Sequence, residues 1–225
     1  MSNSNNRWGV IFDVDGTMVD NGAYHENAWI ELGRRYDLPI TREFYRANIH
    51  SRSNDKNVKK LFADKATPEM IERISNEKED IYRRSFRPVI EEIPGLRRFL
   101  RALRDNKVPC AAASNSPKGN VDMVIDELQI RRYFRTVIDR DMVSAGKPDP
   151  ELFLTAAQRM ELEPGRCIVI EDSVSGFRAA ENANMPYVVI THGADADEIK
   201  QAGTARALYK DFTQLTPATL AGLLD

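Results

Sequence analysis

Short runs of apolar residues recur along the chain, and each run ends in polar or small residues. Apolar residues occupy successive positions in these runs, which is typical of strands buried on both faces of a parallel sheet. Four runs are clear and two are weaker: residues 8–12, 108–113, 167–170 and 187–190, then 136–138 and 207–209. Helical patterns lie between them, at residues 95–106, 119–128, 150–160 and 175–183. The alternation predicts an α/β fold with a doubly wound parallel sheet.

The stretch from residue 21 to residue 87 breaks this alternation, because it contains successive helical patterns and no clear strand. Thr67 and Pro68 are typical of a helix start, with a capping threonine and a proline in the first turn. We therefore predict a helical insert at residues 21–87, placed after the first strand of an α/β domain formed by residues 1–20 and 88–225.

Composition and charge limit the classes of function. Hydrophobic residues make up 42% and charged residues 29% of the chain, as in ordinary globular proteins. The formal net charge of -2 gives no reason to expect binding to nucleic acid or to an acidic membrane. No apolar stretch reaches the roughly 20 residues that span a bilayer, and the polar amino terminus has no targeting core. Cys110 and Cys167 lie in predicted buried strands, which favours reduced thiols and a cytoplasmic location. We expect a small-molecule partner and no obligate protein partner.

Two acids, Asp13 and Asp15, follow the first predicted strand. Ligands of open α/β sheets bind beyond the carboxyl ends of strands, so these acids are candidates for a functional site. A polar turn that ends the strand is the alternative interpretation. A calcium loop, which also begins with Asp-x-Asp, is excluded because its sixth position requires glycine and is Met18 here.

A second acidic pair, Glu171 and Asp172, directly follows the run at residues 167–170. Neighbouring carboxylates repel each other unless a cation or a proton intervenes, so two such strand ends predict a cation site. Oxygen ligands without a nearby histidine or cysteine cluster favour Mg²⁺ over zinc.

Two further segments carry donors for a phosphate group. Ser114 and Asn115 follow the run at residues 108–113, although an asparagine there is also typical of a turn. Lys147 lies between Gly146 and Pro148, just before a predicted helix. A lone lysine is usually exposed, but four carboxylates and a phosphate need a fixed cation, so we assign Lys147 to the site.

Taken in this order, these elements resemble the haloacid dehalogenase-like superfamily of phosphotransferases. The matching residues are Asp13-Val14-Asp15-Gly16-Thr17, Ser114, Lys147 before Pro148, and Glu171-Asp172, and the similarity covers nearly the whole chain. The helical insert resembles the small cap domain of the subgroup that contains β-phosphoglucomutase, as does Tyr24-His25 with Ala28-Trp29. The resemblance implies a Rossmann-like catalytic core with an all-helical cap.

The resemblance also implies a role for each residue. Asp13 would attack phosphorus and form an aspartyl-phosphate, and Asp15 would act as general acid and base. Asp13, the backbone carbonyl of Asp15, and Asp172 would hold Mg²⁺, whereas Glu171 would act through a water molecule, with direct ligation left open. Ser114 and Lys147 would orient and neutralise the phosphoryl group.

A phosphatase and a mutase would share all these residues. Where the mutases carry a lysine and an arginine in the cap, this chain has His50 and Asn54, with Arg52 nearby. Thr17 after Asp-Gly is commoner among the phosphatases. We therefore expect a Mg²⁺-dependent phosphatase of a small phosphorylated metabolite such as a sugar phosphate, with a β-phosphoglucomutase-like mutase as the alternative.

His25 has two interpretations. Its spacing with Trp29, Leu32 and Tyr36 favours a packed helix histidine, whereas the resemblance favours a contact with the substrate.

Two other classes fit less well. A haloacid dehalogenase needs neither a metal nor a second acid, so Asp15 and Glu171-Asp172 count against it. A non-catalytic binding module is disfavoured because every residue type needed for catalysis is present.

Overall fold

The computed structural model describes residues 7–50, 52–192 and 196–224. The chain divides into two compact units. The sheet unit runs up to Asp20 and resumes at Ile90, and the helical unit is Asn21–Val89. The helical unit ends two residues beyond the predicted insert, because a 3₁₀ turn at Arg87–Val89 follows its last helix. The roles of these units as catalytic core and cap stay predictions.

A six-stranded parallel sheet forms the centre of the sheet unit, with the strand order β3-β2-β1-β4-β5-β6. The strands are β1 Gly9–Phe12, β2 Cys110–Ala113, β3 Thr136–Ile138, β4 Cys167–Glu171, β5 Tyr187–Ile190 and β6 Ala207–Tyr209. The strand order reverses at β1, where Val10 pairs with Cys110 on one side and Ile168 on the other. Such a reversal is where open α/β sheets bind their ligands. All six predicted runs are strands, so the predicted fold class is confirmed.

Helices account for much of the remaining chain. Those within the described residues are α1 Gly22–Arg35, α2 Arg42–Asn48, α3 Asn54–Phe62, α4 Pro68–Phe86, α5 Leu96–Asp105, α6 Lys118–Glu127, α7 Glu151–Met160, α8 Val174–Asn182, α9 Ala196–Ile199 and α10 Pro217–Ala221. The four helices predicted for the sheet unit are α5 to α8, with ends that differ by at most one residue. Among the helices of the described chain, none combines the length and apolar character that a membrane crossing needs.

The central strands are apolar, except for Glu171 at the end of β4, because both faces of the sheet are covered. Every residue of β1, β2, β4 and β5 is buried. Phe12 packs against Phe99 of α5 on one face. The neighbouring Ile11 points to the opposite face, where it shares a core with Phe153 of α7 and Phe177 of α8. This packing holds the sheet between helices and fixes where its strands end.

Cys110 and Cys167 lie inside the sheet, on β2 and β4, and both thiols are free. Burial raises the pKa of each thiol to about 12. Both therefore stay protonated and unreactive at neutral pH.

The helical unit has a core of its own, in which α1 packs mainly against α4. Trp29 and Leu32 of α1 are buried, as their predicted helical spacing requires, and so is Ile74 of α4. Thr67 caps α4, because its Oγ1 accepts a hydrogen bond from the Met70 N–H at 3.3 Å. The capping threonine predicted from the sequence is thereby confirmed.

Candidate active site

The predicted acids and donors of the sheet unit lie at the carboxyl ends of three adjacent strands. Asp13 directly follows β1, Ser114 directly follows β2, and β4 ends at Glu171, with Asp172 next. Because the strands are parallel, these residues meet at one edge of the sheet although they are far apart in sequence.

Lys147 enters this edge from the loop before α7 and is only 8% exposed. Its Nζ donates to Asp13 Oδ1 at 2.5 Å, to Glu171 Oε1 at 2.7 Å and to the Ala113 carbonyl at 3.0 Å. Burial lowers the pKa of Lys147, but the carboxylates of Asp13 and Glu171 raise it by a larger amount, so the net shift of the pKa is upward. The ammonium group is therefore charged and fixed by three acceptors.

Glu171 is fully buried, and both of its carboxylate oxygens have partners. Oε1 accepts from Lys147, and Oε2 accepts from the backbone N–H groups of Asp172 at 2.9 Å and Ser173 at 3.0 Å. The Ser173 hydroxyl donates to the same oxygen at 3.1 Å. Glu171 thus holds Lys147 to the loop between β4 and α8.

Asp172 is positioned by the turn after β1. The hydroxyl of the buried Thr17 donates to Asp172 Oδ1 at 3.1 Å. Gly16 has φ +85°, and a Cβ placed on it would lie 2.0 Å from Asp172 Oδ2. The turn therefore needs glycine for two reasons, its backbone conformation and its contact with this carboxylate.

The site has the charge and the donor atoms for a divalent cation. One ligand oxygen each from Asp13, Glu171 and Asp172 lies within 4.8 Å of the others. Burial raises the pKa of Asp13 well above its usual value, and Glu171 and Asp15 raise it while Lys147 lowers it. Burial also raises the pKa of Asp172, followed by Glu171 and Asp13. The negative charge exceeds what Lys147 compensates, and oxygen donors alone suit Mg²⁺. Because both oxygens of Glu171 are engaged, Asp13 and Asp172 are the side chains that fit the ion.

Asp15 and Ser114 form a pair at the same edge. The Ser114 hydroxyl donates to Asp15 Oδ2 at 2.9 Å and accepts from the Ser116 N–H at 2.9 Å. Ser114 is buried, whereas Asp15 is half-buried. Asp15 is two residues from Asp13 in the sequence, and its carboxyl group accepts a hydrogen bond from a neutral hydroxyl. A carboxyl group in this position could act as a general acid or base.

Asn115 binds the backbone of Lys147 with both atoms of its amide. Its Oδ1 accepts from the Lys147 N–H at 2.8 Å, and its Nδ2 donates to the Lys147 carbonyl at 3.2 Å. The six predicted residues of this edge are all in the sheet unit. Lys147 is hydrogen-bonded to Asp13 and Asn115, Ser114 to Asp15, and Asp172 to Thr17.

His25, the remaining predicted site residue, belongs to the helical unit. Its Nδ1 lies 2.8 Å from Lys78 Nζ, and its ring stacks on Tyr82 with centroids 3.9 Å apart. Lys78 also donates to Glu79 at 3.0 Å, and both of these charged residues are buried. The sequence analysis missed this group, but a lysine four residues after Ile74 on an apolar helical stripe is a signal that could have found it.

The sequence pattern that defines the haloacid dehalogenase-like hydrolases matches residues 9–184. The chain belongs to this family. The family predicted from Asp13, Lys147 and Asp172 is therefore confirmed, and with it the prediction that the chain is an enzyme.

Relatives of this haloacid dehalogenase-like hydrolase include phosphatases and a mutase. A 5-amino-6-(5-phospho-D-ribitylamino)uracil phosphatase from Arabidopsis thaliana is 26% identical over 96% of this chain, which spans only 58% of that protein. A phosphorylated carbohydrates phosphatase from Thermotoga maritima is 28% identical over 89% of this chain and 93% of its own length. A β-phosphoglucomutase from Bacillus subtilis is 28% identical over 82% of this chain and 83% of its own length.

Solved structures of the family share the fold. A haloacid dehalogenase-like hydrolase of family IA from Entamoeba histolytica superimposes with a TM-score of 0.88, covering 96% of this chain and 99% of that one. At 24% sequence identity, this similarity concerns the fold alone.

Proposed function

We propose that the chain is a Mg²⁺-dependent phosphatase that hydrolyses a small phosphorylated metabolite, such as a sugar phosphate, through an aspartyl-phosphate on Asp13. The observation that carries the proposal is the buried Lys147 ammonium, which bonds Asp13 and Glu171 at the edge of the sheet. A fixed cation beside a strand-end carboxylate is an arrangement suited to phosphoryl transfer, which depends on positioning and charge.

In the first half-reaction, a carboxylate oxygen of Asp13 attacks the phosphorus of a phosphate monoester. The bond from phosphorus to the ester oxygen breaks, and Asp15 gives its proton to that oxygen, so that an alcohol leaves. The Ser114 hydroxyl is hydrogen-bonded to Asp15, and we propose that it orients the phosphoryl group of the substrate.

In the second half-reaction, water attacks the phosphorus of the aspartyl-phosphate. Asp15 takes a proton from that water, the bond from Asp13 to phosphorus breaks, and inorganic phosphate leaves. Lys147 neutralises part of the phosphoryl charge in both steps.

Asp13, Asp172 and the backbone carbonyl of Asp15 are the groups that we propose to hold Mg²⁺. When bound, the ion supplies positive charge for the transferring phosphoryl group. We propose that Glu171 positions Lys147 and the β4–α8 loop and does not bind the ion directly, because both of its oxygens have partners.

A mutase is the second candidate, favoured by the similarity to the β-phosphoglucomutase of Bacillus subtilis. Two positions in the helical unit count against it. Asn54 stands at one position where the mutases carry a basic residue, and its amide donates to Glu79 at 2.6 Å. His50, at the other, contacts the ring of Tyr45 edge-on. We therefore place hydrolysis first. We also propose, from the resemblance of Tyr24-His25 to the mutase subgroup, that His25 takes part in substrate binding.

The test is phosphate release from a panel of phosphorylated sugars and related metabolites, with and without Mg²⁺. We expect release from at least one substrate, dependent on Mg²⁺ and abolished in Asp13→Asn. Asp105→Asn, which changes an exposed aspartate paired with Arg104, is the matched control and should keep wild-type activity.

The mutase alternative is tested in parallel with β-glucose 1-phosphate, glucose 6-phosphate and a phosphorylated activator. Interconversion faster than phosphate release would make the enzyme a mutase. If the protein neither releases phosphate nor interconverts the two esters, the proposed function is wrong.

A further inference from the structure

Asn115 is linked to Lys147 in a way that the proposed reaction does not explain. Both amide atoms of Asn115 bind the backbone of this one residue, Oδ1 to its N–H at 2.8 Å and Nδ2 to its carbonyl at 3.2 Å. Two bonds to one residue fix both the distance and the orientation of the Lys147 backbone relative to the end of β2.

The contact leaves no room for a side chain at position 146, although Asn115 itself is exposed. A Cβ placed on Gly146 would lie 2.5 Å from Asn115 Oδ1 and 3.1 Å from Cδ of Arg140. The absence of a side chain at position 146 is therefore what lets the Asn115 amide reach the backbone of the next residue.

Residues at the end of β2 thus bind both the side-chain Nζ and the backbone of Lys147. The Ala113 carbonyl accepts from Lys147 Nζ at 3.0 Å, and Asn115, two residues later, binds the backbone. Four side-chain torsions separate Lys147 Nζ from the backbone, so a fixed backbone reduces the number of conformations from which Nζ can reach its three acceptors.

We propose that Asn115 is a positioning residue that acts on the reaction through Lys147, by holding its backbone so that Nζ stays between Asp13 and Glu171. In this proposal Asn115 does not contact the phosphoryl group directly, in contrast to the interpretation from the sequence. The effect on catalysis rests on the proposed function, whereas the effect on the position of Lys147 does not.

The first experiment compares Asn115→Ala with Asn182→Ala. Both asparagines are exposed. The control removes the bond from Asn182 Nδ2 to the carbonyl of Pro148, the residue after Lys147, at 3.0 Å. With the best substrate of the panel, we expect kcat of Asn115→Ala to fall about 10- to 100-fold with KM little changed, because misplaced charge weakens the transition state most. Asn182→Ala should keep wild-type kcat. Equal kcat values for Asn115→Ala and the wild type would overturn the proposal.

A double-mutant cycle separates positioning from a merely structural role. In a Lys147→Ala background, Asn115→Ala should cause no further loss of kcat, because a residue that acts only through Lys147 has nothing left to position. A full, additive loss in that background would show that Asn115 acts independently and would overturn the proposal.

Crystal structures of the wild type and Asn115→Ala provide a readout that needs no activity. We expect Nζ of Lys147 to leave at least one of its three acceptors in the variant while the sheet is unchanged. If the wild type releases no phosphate, the proposed function fails. The two crystal structures then decide by themselves whether Asn115 positions Lys147. If Lys147 keeps its wild-type position in the crystal structure of Asn115→Ala, the positioning proposal is wrong, whatever the activity.

Discussion

Gly16 directly follows Asp15, the second of the two acids after β1, and has φ +85°, a conformation that side chains disfavour. We predict that Gly16→Ala loses Mg²⁺-dependent activity and about 1–3 kcal/mol of unfolding free energy, because strained backbone has costs of this order. The new Cβ would also lie 2.0 Å from Asp172 Oδ2 and displace that carboxylate. Phosphate release and urea unfolding measure the two effects.

Gly165→Ala is the matched control for this substitution, since nothing lies within 4 Å of a Cβ at that position. It should leave activity and stability near wild type. A Gly16→Ala protein with wild-type activity would mean that the close contact with Asp172 does not exist in solution.

At the scale of residues, the sequence is sufficient to predict those that follow strands. Asp13, Ser114 and Asp172 were found because the change from apolar to polar residues marks the end of a buried strand. The carboxyl ends of parallel strands lie at the same edge of the sheet. The partners of Asn115 and Lys78 were not found. The bonds from Asn115 to Lys147 and from Lys78 to His25 join segments that are distant in the chain, and no local pattern encodes them. The apolar stripe of α4 could have indicated only that Lys78 is buried.

The junction of β4 and α8 shows how a strand and a helix are fixed to each other. Ser173 caps α8 by accepting from the Gly176 N–H at 3.2 Å, and a Cβ on Gly176 would lie 1.8 Å from Cδ of Glu171. Replacing glycine by alanine inside a helix usually stabilises it. We predict the opposite sign for Gly176→Ala, a loss of about 1–3 kcal/mol, as overpacking causes in protein interiors. Urea unfolding measures it.

Gly22→Ala, in the first turn of α1, provides the comparison, because a Cβ there has no neighbour within 4 Å. It should stabilise the protein by no more than about 1 kcal/mol. If Gly176→Ala stabilises the protein as much as Gly22→Ala does, the packing of Glu171 against α8 is not as described.

The elements were predictable because their patterns are strong. The four central strands are buried along their whole length and gave clear apolar runs, whereas the partly exposed β3 and β6 gave the two weaker ones. Their ends were less certain, because the main-chain pairing of the sheet starts and stops within an apolar run: β2 begins at Cys110, two residues into its run, and β4 includes Glu171. A polar residue that ends a strand inside a buried site cannot be distinguished by pattern from one that follows it.

Over the whole molecule, charge is nearly balanced, with a formal net charge of -2, yet the carboxyl edge of the sheet holds an excess of negative charge. Raised pKa values of Asp13 and Asp172 mean that the folded protein binds protons there more tightly than the unfolded chain. Without metal, these groups therefore lower stability as pH rises from the ordinary aspartate value of 3.8 through their raised folded-state values.

This electrostatic conflict predicts that Asp172→Asn stabilises the metal-free protein, contrary to most substitutions of site residues. In the presence of a chelator, the variant should match the wild type near the ordinary aspartate pKa and become more stable than it as pH rises, because asparagine carries no charge to desolvate. Adding Mg²⁺ should reverse the order at neutral pH. An ion at a hundred times its Kd adds about 2.7 kcal/mol to a protein that binds it only when folded, and the variant has lost a ligand. Thermal unfolding at several pH values measures both effects, with Asp105→Asn as the control. A variant that is less stable than the wild type at neutral pH without metal would show that Asp172 carries no uncompensated charge.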